Sequence, residues 1–508
     1  MFQVLKAHNC SQHHDTTTSP TQPCTLVIFG LSGDLAHRKL IPAVYQLAVD
    51  KQLSDDFRII GFARTIAKVA KIRNSLRESL ERHVRTGPVD DTIWESLANR
   101  IDYHPGGYDD PEAFTKLKIE LESKTNNRNY LFYLATPPSL CQTIVANLGK
   151  AGLVHTPNTD TVPWSRVLIE KPFGRDLASA TELNKFAGSI LSENQIYRID
   201  HYLGKETVQN ILLFRFANAI FEPLWNRSHI DHVQITAAES IGVEGRVGFY
   251  DQAGVIRDFV QNHLLEVMAL CAMEQPVAFK ADPIRDEKVK LLRSIRQYTG
   301  TEIESNVVCG QYEGYKDIDG VAESSRTPTY VALKVMIDNW RWMGVPFYLR
   351  TGKNLNNRAT EVAFHFKPVP LCLLGNQKAC QRLKPNVLKL RIQPNEGIEL
   401  RFGCKVPGDN LDIGHVLMDF DYAKAFGKAS SRDAYERLLM DAMRGDATLF
   451  ARCDEVEHAW SFITPIIEAF ENSTNLPIAT YKSGSAGPEE SDKLLSKDFT
   501  AWDNIGSS

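Results

Sequence analysis

Residues 25–36 read Thr-Leu-Val-Ile-Phe-Gly-Leu-Ser-Gly-Asp-Leu-Ala, an unbroken apolar run that ends at a glycine and leads into a helix-like segment. A short strand that is apolar on both faces is typical of a parallel sheet covered by helices. At such a strand-to-helix turn, glycines let the backbone approach a pyrophosphate, and the first N–H groups of the helix are free to bind it. Because the turn departs from the standard GxGxxG pattern, a tight turn without a ligand is the alternative.

The same alternation of apolar runs and helix-like segments continues further along the chain. Apolar runs recur at 58–62, 130–134 and 166–169, and helix-like segments lie between them at 66–84, 111–124 and 138–151. Short apolar strands that alternate with helices are typical of a parallel sheet with helices on both faces. The pattern predicts an α/β Rossmann-like dinucleotide-binding domain over residues 24–199.

The sequence pattern changes near residue 200. One long amphipathic helix, about 252–273, precedes strands in which polar and apolar residues alternate, such as Leu388–Ile392. Alternation with a period of two is the mark of a strand with one face in water. We therefore predict an α+β domain with a large, mostly antiparallel sheet over residues 200–495. Its predicted strands are 329–337, 346–350, 361–367, 387–393 and 397–402, and further helices are predicted at about 432–445 and 454–470.

The two ends of the chain are expected to lie outside these domains. Residues 1–23 contain His8, Cys10, His13 and His14, but their Ser, Thr, Gln and Pro neighbours show no periodicity. That composition favours a flexible N-terminal tail over a metal site. Residues 496–508 are assigned to a C-terminal tail.

The composition excludes several classes of protein. With 43% apolar and 24% charged residues the chain is typical of a soluble globular protein, and a net charge of −4 gives no general attraction to nucleic acid or to an anionic membrane. No apolar run approaches the roughly 20 residues that span a bilayer, and the N-terminus lacks the apolar core of a signal peptide. Nine cysteines without CxxC pairs indicate reduced thiols, so we expect a cytoplasmic protein without a disulfide framework or a zinc site.

Two segments at predicted strand ends indicate the cofactor. Sites for NAD usually carry an acidic residue about 20 positions after the glycines, whereas the second strand here ends in Gly-Phe-Ala-Arg-Thr at 61–65. The guanidinium of Arg64 suits a 2′-phosphate, which favours NADP; an ordinary exposed arginine is the alternative. Lys171, in Glu-Lys-Pro-Phe-Gly at 170–174, follows the fourth strand at the edge of the sheet where ligands bind.

The most unusual segment is Arg-Ile-Asp-His-Tyr-Leu-Gly-Lys-Glu at 198–206, which is rich in charged groups. If a helix begins at Tyr202, His201 and Lys205 lie four apart on one face and can bind one phosphate. Asp200 would then point elsewhere, free to orient another group. A solvated charged turn is the alternative.

A catalytic candidate lies on the long helix, in the stretch 254–265. His263 stands at the edge of an apolar stripe and, without further context, is more typical of a hydrogen-bonded core histidine. Asp258 precedes it by five residues, so an α-helix would not place the two side chains on one face.

Taken together, these segments resemble the glucose-6-phosphate dehydrogenase family, residue for residue over 198–206. The resemblance covers roughly residues 24–495, with its motifs in the family's order. Further matching segments are Leu131 to Pro138, Arg257 to Leu265, Gly344 to Arg358, Gln393 to Glu396, Asp433 to Leu439 and Gly484 to Glu489. The resemblance implies oxidation of glucose 6-phosphate at C1 to the 6-phosphogluconolactone, with NADP as cofactor, no metal, and a homodimer or homotetramer.

The resemblance also implies a role for each site residue. His263 is expected to accept the proton of the C1 hydroxyl and Asp200 to hold its imidazole. His201, Tyr202 and Lys205 would bind the 6-phosphate. The remaining expected substrate contacts are Lys171, Glu239, Asp258, Lys353 and Arg358. The expected cofactor contacts are Gly30, Leu31, Ser32, Gly33, Asp34, Leu35, Arg64, Tyr133 and Lys171.

Two departures and two alternatives accompany this interpretation. Leu31 is bulkier than the small residue usual at its place, which could tune cofactor affinity. Ala359, Ala363 and Glu399 replace basic or aromatic residues that hold a second, structural NADP in some members, so we expect no such site, although Arg391 and Arg401 keep part of the charge.

The alternatives to this family assignment are another NAD(P)-dependent sugar oxidoreductase of the glucose–fructose and inositol dehydrogenase group, and a non-catalytic relative that serves as an allosteric or scaffold protein.

Overall fold

The computed structural model describes residues 20–506, apart from 86, 125–127, 156–162, 244, 246, 374–379, 381–382, 410–411, 428–431 and 474–475. The histidines and cysteine of the N-terminal segment therefore lie outside the described residues. Two sheets, numbered below by their strands in chain order, organise the chain.

The first sheet confirms the predicted Rossmann-like domain. Its order is β15-β6-β5-β4-β1-β2-β3, and all pairs are parallel except that of β15 with β6. The strands are β1 (Thr25–Phe29), β2 (Arg58–Ala63), β3 (Ile101–Pro105), β4 (Tyr130–Leu134), β5 (Ser165–Ile169), β6 (Ile196–Ile199) and β15 (Phe450–Ala451).

Helices cover this sheet and connect its strands. A π-wound segment, Ala36–Leu40, leads from the glycine turn into α1 (Ile41–Val49). The others are α2 (Val69–His83), α3 (Asp91–Ala98), α4 (Pro111–Lys124), α5 (Cys141–Lys150) and α6 (Leu177–Gly188). Because β1 and β4 are neighbours while the chain runs from β1 to β2 and β3, the strand order reverses beside β1, where such sheets bind ligands.

The second sheet confirms the predicted large, mostly antiparallel sheet. Its order is β14-β13-β12-β11-β7-β10-β9-β8-β16, and only the pairs β7–β10 and β8–β16 are parallel. The strands are β7 (Ile230–Ala238), β8 (Val307–Tyr312), β9 (Tyr330–Met336), β10 (Pro346–Gly352), β11 (Ala359–Phe366), β12 (Val387–Gln393), β13 (Gly397–Lys405), β14 (Ile413–Asp421) and β16 (Ile478–Tyr481).

The helix predicted over 252–273 is divided. The first part, α8 (Val247–Val255), contains a kink at Gly254, whose φ of 65° lies in the left-handed region. A π-wound segment, Ile256–Leu264, follows and continues into α9 (Leu265–Ala272). The remaining helices are α7 (Glu206–Phe216), α10 (Ala281–Arg293), α11 (Thr301–Asn306), α12 (Tyr422–Phe426), α13 (Ala434–Arg444), α14 (Cys453–Asn472) and α15 (Glu490–Ser496). None of these described helices combines the length and the apolar character that a bilayer crossing needs.

The chain returns to the first sheet after building most of the second. Strand β15 pairs with β6, and the indole of Trp460 on α14 donates to the carbonyl of Phe173 at 2.8 Å. Residues beyond α15 lie on the second sheet, where the side chain of Gln234 bonds the backbone of Ala501 and Asp503. The segment 496–508, assigned to a tail, is thus fixed to the sheet over its described part.

The cysteines differ from the sequence expectation at one pair. Cys372 and Cys380, on the connection between β11 and β12, form a disulfide. The prediction of reduced thiols is wrong there, since a separation of eight residues shows no CxxC pattern and gave no signal. Among the described residues, six other cysteines are free: Cys24, Cys141, Cys271, Cys309, Cys404 and Cys453.

Candidate active site

Three segments bring the candidate catalytic residues together at the carboxyl edge of the first sheet. Asp200 follows β6, Lys171 follows β5, and His263 lies on the π-wound segment Ile256–Leu264. Strand ends of a parallel sheet supply the first two, while a helix of the second domain supplies the third. The site therefore lies between the two sheets.

The core of the site is a buried pair. The Nδ1 atom of His263 lies 2.5 Å from Oδ1 of Asp200, and the two side chains are 1% and 3% exposed. The backbone N–H of Tyr202 also donates to that carboxylate. Although burial raises the pKa of Asp200, His263, His201 and the Tyr202 N–H together hold it well below its usual range. This environment favours the ionised carboxylate of Asp200.

His263 is poised as an unprotonated base. Burial lowers its pKa, the Asp200 carboxylate opposes this, and the Lys171 ammonium lowers it further, leaving the pKa below the usual value. Since ionised Asp200 can only accept a hydrogen bond, the neutral ring carries its hydrogen on Nδ1. The lone pair of Nε2 is then the acceptor of the ring.

Lys171 holds the other side of the imidazole. Its Nζ lies 2.7 Å from the carbonyl oxygen and 3.2 Å from Oδ1 of Asp258, and 3.1 Å from Nε2 of His263. These three acceptors match the three N–H donors of an ammonium group. Lys171 therefore marks the place beside Nε2 where a reacting hydroxyl has to enter.

The expectation that Asp258 and His263 face different ways is wrong. Both side chains reach the one ammonium of Lys171. The reason is the π-winding of Ile256–Leu264, in which hydrogen bonds join residues five apart rather than four. A period of 3.6 residues does not describe this segment, and π-turns within helices are frequent at functional sites.

A second cationic centre lies at Lys205. Its Nζ is 3.6 Å from the ring centroid of Tyr202 and 2.5 Å from Oε1 of Gln393. Burial, and the charge of the neighbouring Arg358, lower the pKa of Lys205 to about 8 against the pull of nearby carboxylates. Arg358 itself is exposed, so two cations and a tyrosine line one end of the site. This arrangement can hold a phosphate dianion.

The helix expected from Tyr202 begins later. Residues 201–204 form turns, Lys205 is the N-cap, and α7 starts at Glu206. A Cβ at Gly204 would lie 2.8 Å from the carbonyl oxygen of Ala434, so close contact with α13 holds this turn. His201 nevertheless lies by the dyad, with its ring centroid 4.5 Å from that of His263. Burial and His263 put the pKa of His201 well below its usual value, so it offers a neutral hydrogen-bonding ring.

The remaining substrate candidates form an alternating row of charges. Lys353 bonds Glu239, and its Nζ is 3.9 Å from Oδ2 of Asp258. Asp258 in turn contacts Lys171. Burial raises the pKa of Asp258, but Lys171 and Lys353 outweigh it and the pKa is lowered. Such paired carboxylates and ammonium groups suit the hydroxyls of a sugar, which donate and accept at once.

The glycine turn fits a dinucleotide. Gly30 has a φ of 89°, and a Cβ there would lie 2.4 Å from the carbonyl oxygen of Ala135, so no side chain fits. The N–H of Gly33 donates to the Gly30 carbonyl, and the helical winding begins directly after it, at Asp34. The turn leaves the first N–H groups of that helix at the switch point of the sheet, the usual place of a pyrophosphate. Arg64 is exposed at the end of β2 and lies 5.8 Å over the ring of Tyr108.

The side chains of two expected cofactor contacts are buried. The side chain of Leu31 is buried in the core, where it fills the space beside Gly61; a Cβ at Gly61 would lie 2.0 Å from it. The bulk of Leu31 therefore does not obstruct a cofactor. Its contribution to a cofactor site is limited to its backbone, next to the backbone groups of Asp34 and Leu35. Tyr133 is also fully buried, and its hydroxyl donates to Glu170 at 2.5 Å.

Sequence reasoning missed four residues that support these groups. The amide nitrogen of Gln393 donates to the hydroxyls of Tyr202 and Thr360, while its oxygen accepts from Lys205. Glu170 accepts a hydrogen bond from Tyr133 and lies beside Tyr435. The signal was available for Gln393, Glu170 and Tyr435, since each lies in a motif quoted above, but contact between distant segments is not visible in a sequence.

Comparisons with known proteins show what the chain is similar to. The family model described as "Glucose-6-phosphate dehydrogenase, NAD binding domain" matches residues 27–210, and "Glucose-6-phosphate dehydrogenase, C-terminal domain" matches residues 212–503. The chain is 44% identical over 498 residues to a glucose-6-phosphate 1-dehydrogenase of Chlamydia pneumoniae, covering 94% of this chain and 96% of the relative. It is 41% identical over 497 residues to that of Rhizobium meliloti, covering 96% of this chain and 98% of the relative.

Solved structures show the same similarity. A structure described as "Glucose-6-phosphate dehydrogenase in complex with its substrate glucose-6-phosphate" matches with a TM-score of 0.86 at 34% identity, covering 96% of this chain and 100% of the other. The glucose-6-phosphate 1-dehydrogenase of Mycobacterium avium matches with a TM-score of 0.82 at 38% identity and the same coverage.

Proposed function

The chain belongs to the glucose-6-phosphate dehydrogenase family, and from that premise we propose how its residues carry the reaction. The enzyme oxidises glucose 6-phosphate to 6-phosphoglucono-1,5-lactone with NADP. The C1–H bond breaks with its electron pair, the C1 hydroxyl loses a proton, and the lactone carbonyl forms. The observation that carries the mechanism is the buried His263–Asp200 pair, with a separate cationic centre at Lys205.

The proton goes to His263. With Nδ1–H directed at Asp200, Nε2 accepts the proton of the C1 hydroxyl, and the positive charge that forms on the ring is stabilised by the carboxylate. The hydroxyl takes up the hydrogen-bonding position that Lys171 holds beside Nε2. Lys171 keeps its bonds to Asp258 and can donate to the sugar from the same place.

The two ends of the substrate bind to different groups. Lys205, Arg358, Tyr202 and neutral His201 bind the phosphate, because they surround one end of the site with donors. Glu239, Asp258 and Lys353 bind sugar hydroxyls at the other end, where carboxylates and ammonium groups alternate. The sugar is thus fixed by groups of opposite polarity, and C1 is directed to His263.

The residues of the first domain suit NADP. Backbone N–H groups of the turn formed by Gly30, Leu31, Ser32, Gly33, Asp34 and Leu35 would hold the pyrophosphate, and Arg64 would hold the 2′-phosphate. Lys171 stands at the strand end between this turn and the sugar groups. When bound, NADP supplies the hydride acceptor. Tyr133 was expected as a direct cofactor contact. Its side chain is buried, and it supports the site through its hydrogen bond to Glu170.

The reaction can be tested with the purified protein. Absorbance at the wavelength of reduced nicotinamide should rise when glucose 6-phosphate and NADP are both present. Glucose in place of its phosphate, and NAD in place of NADP, should give much slower reactions. No reduction of NADP with glucose 6-phosphate would refute the proposed function and favour the non-catalytic alternative.

Arg64 is expected to determine the preference for NADP. Replacing Arg64 by alanine should raise the KM for NADP by about tenfold or more, because one charge-assisted interaction with a phosphate contributes roughly 1.5–3 kcal/mol. The KM for NAD should change little, since NAD lacks the 2′-phosphate. Steady-state kinetics with both cofactors measures the difference. Equal losses with NADP and NAD would show that Arg64 does not bind the 2′-phosphate.

A homodimer or homotetramer is part of the proposal, with the edge of the second sheet as contact. Leu417 and Met418 are neighbours on the edge strand β14 and are 49% and 55% exposed. Because successive residues of a strand point to opposite faces, neither face of this edge is fully covered. Apolar surface of that kind is expected to pack on a second copy.

Light scattering at micromolar concentration tests the oligomer. The parent should have at least twice the monomer mass, and Met418→Lys should lower the mass. Ile119→Lys is the matched control, because Ile119 is an exposed apolar residue on α4, outside the second sheet. An active monomeric parent would contradict the proposal.

We also place the enzyme in the cytoplasm, which the six free cysteines support and which cell fractionation would test.

A further inference from the structure

A carboxylate of unassigned role lies directly beside Lys171. The hydroxyl of Tyr133 donates to Oε1 of Glu170 at 2.5 Å, and Tyr435 lies beside the same carboxylate and stabilises it. Tyr133 belongs to β4 of the first sheet, whereas Tyr435 lies in the first turn of α13, far along the chain. One side chain thus joins the two halves of the molecule immediately before the lysine of the active site.

The surroundings of Tyr435 connect further parts of the site. Ala434, its neighbour, packs against Gly204 in the turn that precedes Lys205. Asp433 pairs with Lys39 on the π-wound segment after the glycine turn, with 3.3 Å between Nζ and Oδ2. The start of α13 therefore adjoins the turn before Lys205, the π-wound segment after the glycine turn, and Glu170. A shift of α13 would displace the surroundings of Glu170.

Opposing influences act on the ionisation of Glu170. Burial raises the pKa of this carboxyl, and although Tyr133, Lys171 and Tyr435 stabilise the carboxylate, the pKa stays above its usual value. The Glu170 carboxylate accepts the hydrogen bond of Tyr133 and lies beside Tyr435. Glu170 is therefore engaged from β4 and from α13, and leaves Lys171 free to face Asp258 and His263.

We propose that Glu170 is a positioning residue for the reaction: fixed by its hydrogen bond with Tyr133 and flanked by Tyr435, it holds the end of β5 so that the ammonium of Lys171 meets Asp258 and Nε2 of His263. The inference rests on the proposed function. Its physical reason is the sensitivity of catalysis to geometry, because a displacement of about 1 Å in a positioning group can reduce a rate a hundredfold. Glu170 acts through Lys171 and needs no contact with substrate.

The test is a double-mutant cycle with glucose 6-phosphate and NADP. Glu170→Gln keeps the size of the side chain and removes its charge. It should lower kcat by about tenfold and leave both KM values within about threefold. In the Lys171→Ala background the same change should alter kcat by less than about twofold, because the residue it positions is already gone. Binding of NADP alone, measured by calorimetry, should stay the same.

The tyrosines supply a matched pair of variants. Tyr133→Phe should lower kcat several-fold, because one donor to Glu170 is lost. Tyr130→Phe should leave kcat unchanged: Tyr130 is buried on the same strand, and its hydroxyl has no hydrogen-bond partner among the described residues. If Glu170→Gln fails to fold, this pair carries the test.

Two results would overturn the inference. One is a Glu170→Gln enzyme with the kcat of the parent, or with an equal loss in the Lys171→Ala background. The other is an equal effect of the Tyr133 and Tyr130 substitutions. Failure of the proposed function is distinct from both, because the parent itself would then not reduce NADP with glucose 6-phosphate.

Discussion

Replacing His263 by asparagine is expected to lower turnover by about two to four orders of magnitude, the usual loss when a general base is removed. Asparagine can still fill part of the buried space next to Asp200, but it cannot take a proton at the place of Nε2. Binding of glucose 6-phosphate should persist, since the phosphate contacts at Lys205 are separate. Steady-state kinetics and calorimetric titration of the substrate measure the two effects.

A matched control separates loss of the base from loss of a buried ring. His232 is likewise buried, and it stacks on His365 in the second sheet with 4.2 Å between ring centroids. His232→Asn should keep turnover within a few-fold of the parent. A folded His263→Asn enzyme with near-normal turnover would show that another group takes the proton.

Replacing Lys205 by alanine is expected to weaken use of glucose 6-phosphate by about ten- to 150-fold in kcat/KM. Charge-assisted hydrogen bonds to a phosphate contribute roughly 1.5–3 kcal/mol, and 1.4 kcal/mol corresponds to a factor of ten. The slow reaction with free glucose should change much less, because glucose lacks the group that Lys205 holds. High salt should reproduce part of the loss in the parent. Equal impairment with glucose and glucose 6-phosphate would place Lys205 at the reacting end of the sugar.

The pH dependence of the same residue gives a second readout. Burial lowers the pKa of Lys205 to about 8, so the ammonium is present below that pH and is lost above it. The substrate phosphate is a dianion in this range, since its second pKa is about 6. The KM for glucose 6-phosphate should therefore rise above about pH 8 in the parent. Lys205→Ala should not show that rise, because it has no ammonium to lose.

Much of the fold could be predicted because its strands follow simple rules. The strands β1, β2, β4 and β5 are mainly apolar and lie between helices, which is the pattern of a covered parallel sheet. Strand β3 was missed, since Ile-Asp-Tyr-His-Pro has little apolar character at an edge of the sheet. Strand β14 was missed for a related reason: it is uncovered on both faces, so its sequence shows no alternation.

The site shows where a sequence stops being informative. Lys171, Asp200 and His263 could be singled out from the sequence. The contact of the Lys171 ammonium with both Asp258 and His263 could not, because it depends on π-winding, which a helical period of 3.6 does not reveal. The helix start at Glu206 was misplaced because the turn before it is fixed by contact with α13. The burial of Tyr133 and its bond to Glu170 were not foreseen either, because they come from packing between separate segments.

The most direct test follows the hydrogen on C1. Glucose 6-phosphate that carries deuterium at C1 is incubated with the enzyme and NADP, and the reduced cofactor and the sugar product are analysed by mass spectrometry. The account predicts that each turnover moves one deuterium to the cofactor and leaves none in the 6-phosphogluconolactone or its hydrolysis product. Deuterium retained in the oxidised sugar, with unlabelled reduced cofactor, would contradict it.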